Sequence, residues 1–279
     1  MARWRDRSGG VLLGLAAGDR NGGPTELAIR LAESLADRRA FDRDDVLARY
    51  LAWWREGAFD TGPVAALVLE RVACGVPVDK AVAQADCELG GQTAGCNPAH
   101  RAPPLAMAAF LGDDALADCA LREAALTHAH PLAGDVAAAV VGLCRALVRG
   151  YGWGAALQMA AAGRLPATVR ALRPADSPKS LARGGFAPDV LQAAVYFVTA
   201  NASFDAALAA SLSFAGPANA RLASRAVSNE GCAVTKYTAA CSTSGANPPR
   251  DRRFGDSIGC SARWWAEQPA PKSTSMSVG

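Results

Sequence analysis

The sequence predicts an all-α fold, a compact multi-helix bundle followed by an irregular tail. Apolar residues recur at helical spacing in nearly every segment as far as Ala215, the breaks fall at Gly or Pro, and no run alternates as a half-buried strand would. Of the 279 residues 51% are apolar but only 6% aromatic, a balance that suits close helix–helix contacts in one large core or two small ones.

The first element is the small, apolar run Gly10–Ala17. With the arginines before it, this segment mimics a secretory signal. Its short, Gly-rich apolar part and the helical pattern that follows favour the first core helix of a cytosolic domain. A polar turn, Asp19-Arg20-Asn21-Gly22-Gly23-Pro24, leads into a second helix, Thr25–Leu35, with Leu27, Leu31 and Leu35 on one stripe. Asp44–Glu56 follows an acidic start and sets Val46, Tyr50 and Trp53/Trp54 on one side. The helical segments continue through Val64–Ala73, Asp79–Leu89, Pro104–Leu111, Ala115–Leu126 and Gly134–Val148. Pro166–Gly185 reads as a connector, and Pro188–Thr199 and Phe204–Phe214 close the helical part.

From Arg221 the pattern changes. The segment to Gly279 has no sustained period and is rich in Ser, Thr, Asn and Gly, a composition that does not offset its ordering entropy. The expected organisation is a helical domain over 1–220 and an irregular or disordered tail over 221–279, a break of the kind that a retained intron or frameshift leaves. The tail holds eight Lys/Arg against four Asp/Glu, so the net charge of +3 leaves the body at −1. A body without a basic surplus argues against a nucleic-acid partner. No apolar run approaches the roughly 20 residues of a membrane span. The eight cysteines lack CxxC or finger spacing, so most read as small core residues in a reducing, cytoplasmic compartment.

Candidate chemistry sits at the helix breaks. Asp19, Asn21 and the N–H groups that open the second helix meet at one turn, a place for an anion or a sugar hydroxyl, or simply a chain reversal. The chain has three histidines. His100 lies in TAGCNPAHRAPP with Asn97 and Arg101, and His128 and His130 lie in LTHAHP. They read either as structural residues or as the lining of a pocket. His-x-His lacks the helical spacing of a zinc pair and has no adjacent acid. Asp60 and Thr61 precede Pro63 and read as a helix N-cap or as site residues; Asp189 behind Pro188 reads as first-turn electrostatics. Neither a Gly-x-Ser-x-Gly elbow nor a Walker loop occurs, which argues against serine hydrolases and P-loop enzymes.

The strings GLAAGD (14–19), LAIRLAESL (27–35), FDTGPVAAL (59–67), TAGCNPAHRAPPL (93–105), LTHAHPLA (126–133), GGFAPDVLQAAVYF (184–197) and SFDAALAASLSFAG (203–216), in this order, resemble the blocks of the ADP-ribosylglycohydrolase family, the relatives of dinitrogenase-reductase-activating glycohydrolase. The likeness covers residues 8–219. It implies an all-α bundle whose cleft hydrolyses a glycosidic bond between ADP-ribose and an acceptor on a small molecule or a protein. It also implies two Mg²⁺ or Mn²⁺ ions that polarise the ribose and position water.

The resemblance breaks at the metal blocks. Where the family has Thr-Asp-Asp-Thr, this chain has Gly22-Gly23-Pro24-Thr25, and where it has Gly-Asp-x-Asp-Thr, this chain has Gly216-Pro217-Ala218-Asn219-Ala220. The usual ligands are absent, so no two-metal centre of the family type is expected; Asp19 and Asp60 are left to hold one weak ion. The roles the resemblance then implies are Asp60 as base or metal ligand, and His128 or His130 as acid/base or ribose contact. Asn97 and Arg101 become phosphate or ribose contacts, and Asp19, Asn21, Thr25, Thr61, His100 and Asn219 further substrate contacts. The alternative is a relative that keeps the nucleotide-sugar pocket without turnover, or only the fold.

Overall fold

A computed structural model describes residues 2–19 and 22–215 of the chain. The expectations for Asn21, Asn219 and the tail lie outside the described residues.

The described residues form helices α1 (Ala2–Asp19), α2 (Gly23–Arg38), α3 (Arg43–Arg55), α4 (Pro63–Ala73), α5 (Val78–Glu88), α6 (Asn97–Arg101) and α7 (Pro104–Met107). They continue with α8 (Asp113–Ala124), α9 (Pro131–Arg149), α10 (Trp153–Ala161), α11 (Pro166–Ala171), α12 (Ala187–Ala200) and α13 (Phe204–Ala215). Extended pairing among them is limited to one isolated antiparallel bridge, Gly95 with Phe186. The all-α expectation holds.

Helix α9 is the axis of the bundle, with α1, α6, α7, α8, α10, α11 and α12 packed against it. Nearly all of Ala133–Val148 is buried, and alanines on several faces let neighbouring backbones approach closely. Pro131 opens the helix and Gly150, at φ 94°, closes it in the left-handed conformation that lacks a Cβ penalty there. By length and composition α9 could cross a membrane, which corrects the expectation that no run comes near that length. It is buried inside the protein as a core helix.

The predicted stripes are observed. Leu27, Leu31 and Leu35 of α2 are buried, as are Val46, Tyr50 and Trp53 of α3 and Val11 and Leu15 of α1. Asp42 caps α3 by accepting from the N–H groups of Asp44 and Asp45.

Several elements differ from the expectation. Helix α10 was not expected, the short α6 falls in a string read as a turn, and the Pro166–Gly185 connector holds α11 and a 3-10 turn at Pro178–Ser180. The helix expected to reach Leu111 ends at Met107, because Arg145 of α9 inserts there. Its Nη2 donates to the carbonyls of Ala108 and Leu111, at 3.0 and 3.1 Å, and the Ala108 carbonyl also accepts from the Leu111 N–H in a tight turn.

Candidate functional site

The α1–α2 turn is closed from inside. Gly22, the N-cap of α2, has no side chain to offer, and Pro24 has no N–H. Asp19 takes over the capping role: its Oδ2 accepts from the Thr25 backbone N–H at 2.8 Å and from the Thr25 hydroxyl at 2.6 Å. The helix terminus read as a place for an anion thus already holds an internal one. An added phosphate would face the Asp19 carboxylate.

Asp60 comes in from the loop before α4. A Cβ added to Gly22 would lie 2.6 Å from Asp60 Oδ2 and 2.9 Å from Asp19 Oδ1, so both carboxylates converge on that glycine. A Cβ on Gly23 would lie 2.4 Å from the Phe59 carbonyl and 2.5 Å from that of Asp60. The two glycines therefore admit the Asp60 turn onto the start of α2. Burial, opposed by the Thr25 hydrogen bonds and assisted by the nearby Asp60 charge, pushes the Asp19 carboxyl up to about 6.

The N-cap reading of Asp60 and Thr61 is corrected. Gly62 is the N-cap of α4, and no side chain caps that helix. Asp60 itself sits at φ 50°, a left-handed conformation uncommon for a residue with a Cβ.

A buried polar chain reaches this turn from the core. Asn97 Nδ2 donates to the Thr61 carbonyl at 3.0 Å, and Asn97 Oδ1 accepts from Arg101 Nη1 at 2.9 Å. Arg101 Nε donates to Glu123 Oε1 at 2.6 Å, and Nη2 donates to Thr127 Oγ1 at 2.9 Å. Tyr50 donates its hydroxyl proton to the same Glu123 oxygen at 2.7 Å. Arg101, Glu123 and Tyr50 are each 0% exposed. Arg101 as a phosphate or ribose contact is therefore corrected: the side chain is fully buried and four of its five N–H groups donate inside the core.

The histidines part company. His130 caps α9, its Nδ1 accepting from the Leu132 N–H at 3.2 Å. His100 is buried on α6. His128 is buried, with Nδ1 2.7 Å from Thr127 Oγ1. The Thr127 hydroxyl oxygen accepts from Arg101 Nη2 and lies within hydrogen-bonding distance of His128 Nδ1, which links the ring to the guanidinium. Burial, then the Arg101 charge, holds His128 well below the ordinary histidine range. Both effects disfavour the imidazolium form of His128, whose Nε2 lies on the side of Gly95, where an added Cβ would come within 3.2 Å.

Thr25 and Thr61 are buried beside the Asp19–Asp60 pair. Asp189 is raised by burial in the first turn of α12. Sequence reasoning missed Glu123 and Tyr50. The available signal was a carboxylate on the apolar stripe of α8, whose other buried members are Leu116, Cys119, Ala120 and Ala124. A charge on such a face needs a buried partner.

The described residues form an all-helical bundle with polar residues at helix ends around the buried Arg101–Glu123 pair. The ADP-ribosylglycohydrolase family model matches residues 24–223, and the chain belongs to that family. A solved structure described as an ADP-ribosylglycohydrolase-related protein complex is similar, with a TM-score of 0.62 at 24% identity, covering 88% of this chain and 89% of that one. At that identity the likeness speaks for the fold. No curated protein matches.

The Mg²⁺ or Mn²⁺ pair implied by the resemblance calls for about six oxygen ligands around each ion. Among the described residues no three His, Cys, Asp or Glu side chains gather at one point. Asp19 and Asp60 alone supply fewer carboxylates than that donor set calls for.

Proposed function

We propose that this chain hydrolyses a glycosidic bond joining ADP-ribose, or a related nucleotide sugar, to an acceptor on a small molecule or a modified protein. The observation that carries this reading is the convergence of the Asp19 and Asp60 carboxylates on Gly22, where burial raises Asp19 to about 6. A carboxyl that burial favours in its protonated form, beside a second carboxyl group, offers an acid and a base for glycoside cleavage. Asp19, protonated, gives its proton to the leaving acceptor as the anomeric C–acceptor bond breaks. Asp60 takes a proton from the water whose oxygen bonds to that carbon. The His128 ring serves as a ribose contact. The test is release of ADP-ribose from modified arginine, modified serine and small-molecule glycosides, with and without Mg²⁺ or Mn²⁺. Turnover that is lost in Asp60→Asn and Asp19→Asn supports the reading; none on any substrate overturns it.

A second reading, a nucleotide-sugar binder without turnover, is favoured by the first metal block. Gly23 and Pro24 stand where the family motif has aspartates, and Gly23 is pressed against two carbonyls where a side chain has no room. Calorimetry with ADP-ribose separates the two: affinity without hydrolysis supports the binder. We also assign the protein to a reducing, cytoplasmic setting. The described cysteines are free, with Cys74 and Cys87 exposed and Cys96, Cys119 and Cys144 buried.

A further inference from the structure

We infer that Glu123 is a positioning residue that orients two separate site groups, the Asp60 turn and the His128 ring, through the single guanidinium of Arg101. The inference rests on the reading of Asp60 and His128 as groups that meet the substrate.

The geometry is a fork. Its stem is the Glu123–Arg101 pair, with Nε on Oε1 at 2.6 Å and Nη2 on the Glu123 carbonyl at 3.3 Å. Tyr50 adds a donor to the same carboxylate oxygen at 2.7 Å and lies under the guanidinium, 5.3 Å from ring centroid to Cζ. Fixed at one edge, a planar guanidinium has its remaining N–H directions fixed as well.

One tine runs from Nη1 to Asn97 Oδ1, which sets which way the amide faces, so that its NH₂ points to the Thr61 carbonyl. That bond ties down the residue next to Asp60, whose φ of 50° the surroundings must enforce. The other tine runs from Nη2 to Thr127 Oγ1 and on to His128 Nδ1. The threonine oxygen, placed by the Arg101 donor, holds Nδ1 at 2.7 Å and so fixes the setting of the imidazole ring. A pair that only filled the core would need neither tine.

The experiment cuts the tines one at a time. Thr127→Val removes the second and leaves the ion pair whole. Ring ¹⁵N shifts of His128 are expected to change as Nδ1 loses its hydrogen-bond partner, while amide exchange over residues 60–62 stays as in the wild type. Asn97→Ala removes the first: exchange over residues 60–62 is expected to rise at least tenfold and the His128 pattern to stay. Glu123→Gln is expected to move both readouts. If it does not fold, the two single-tine variants still decide. In turnover, each variant should lower kcat by up to about 10²-fold, the scale of a small misplacement of reacting groups, with KM changed less.

Unchanged His128 shifts in Thr127→Val, or unchanged exchange in Asn97→Ala, overturns the inference. So does a folded Glu123→Gln that moves neither. A wild type that releases no ADP-ribose sinks the functional reading instead and leaves these spectroscopic outcomes to stand or fall alone.

Discussion

Thr25 closes on Asp19 across the α1–α2 turn, its N–H and hydroxyl both donating to one carboxylate oxygen at 2.8 and 2.6 Å. The group that caps α2 is thus also the acid assigned to catalysis. Replacing Thr25 by Val removes the hydroxyl donor and is expected to cost about 1 kcal/mol. Denaturant titration of the variant against the wild type measures it.

The same carboxyl gives a pH signature. Its affinity for a proton is higher folded, at about 6, than in an ordinary aspartate near 3.8. The folded state therefore binds more protons between these values, and stability from this group is full below about 4 and lost as pH rises through about 6. Asp19→Asn keeps a side-chain oxygen for Thr25 without the charge. Relative to the wild type it should gain stability as pH rises from 4 to 7, with most of the change complete just above 6. Thermal unfolding of both proteins across that range is the check, and a pH-independent difference would refute the burial argument.

Asp60 and its backbone make a second test. Both Asp60→Ala and Asp60→Gly lose the carboxylate and should lose turnover alike. Only alanine retains a Cβ in the left-handed conformation at φ 50°. The glycine variant should be the more stable of the two by about 1 kcal/mol, read from paired denaturation curves.

Gly23 predicts a failure. Writing an aspartate there, to restore the family's first metal block, places a Cβ 2.4 Å from the Phe59 carbonyl and 2.5 Å from that of Asp60. Gly23→Asp should lower the unfolding temperature and bring no gain in Mn²⁺ affinity by calorimetry. Gly23→Ala should destabilise for the same steric reason, without the added charge.

Glu123 is fully buried and takes the donors of Arg101 and Tyr50 on one carboxylate oxygen. Glu123→Ala leaves the Arg101 charge buried and uncompensated, at an expected cost of about 3–5 kcal/mol. Glu123→Gln keeps an oxygen for both partners and should cost less. Equal losses would mean that the carboxylate charge, not its geometry, dominates.

The thiols divide by burial. Desolvation pushes Cys96 and Cys144 up to about 12, whereas Cys74 and Cys87 are exposed. A thiol reagent at neutral pH should label the exposed pair in the native state, and Cys96 and Cys144 only on unfolding.

What the sequence determined by itself was the helical scaffold, because burial of one face leaves a periodic record. Leu27-Leu31-Leu35 and Val46-Tyr50-Trp53 are readable without any structure. The order of the family's strings was legible too, and so was the loss of acidic residues from Gly22–Thr25. Short elements such as α6 and α11 were not, since a single turn leaves too few repeats to show a period. The roles of the polar residues belonged to the tertiary structure. Arg101 and Asp19 look alike as loop-side charges in the sequence. Yet one is sealed in the core by Glu123 of another helix, and the other is turned towards Asp60 by two glycines. Such pairings join residues far apart in the chain, and only packing brings them within hydrogen-bonding range.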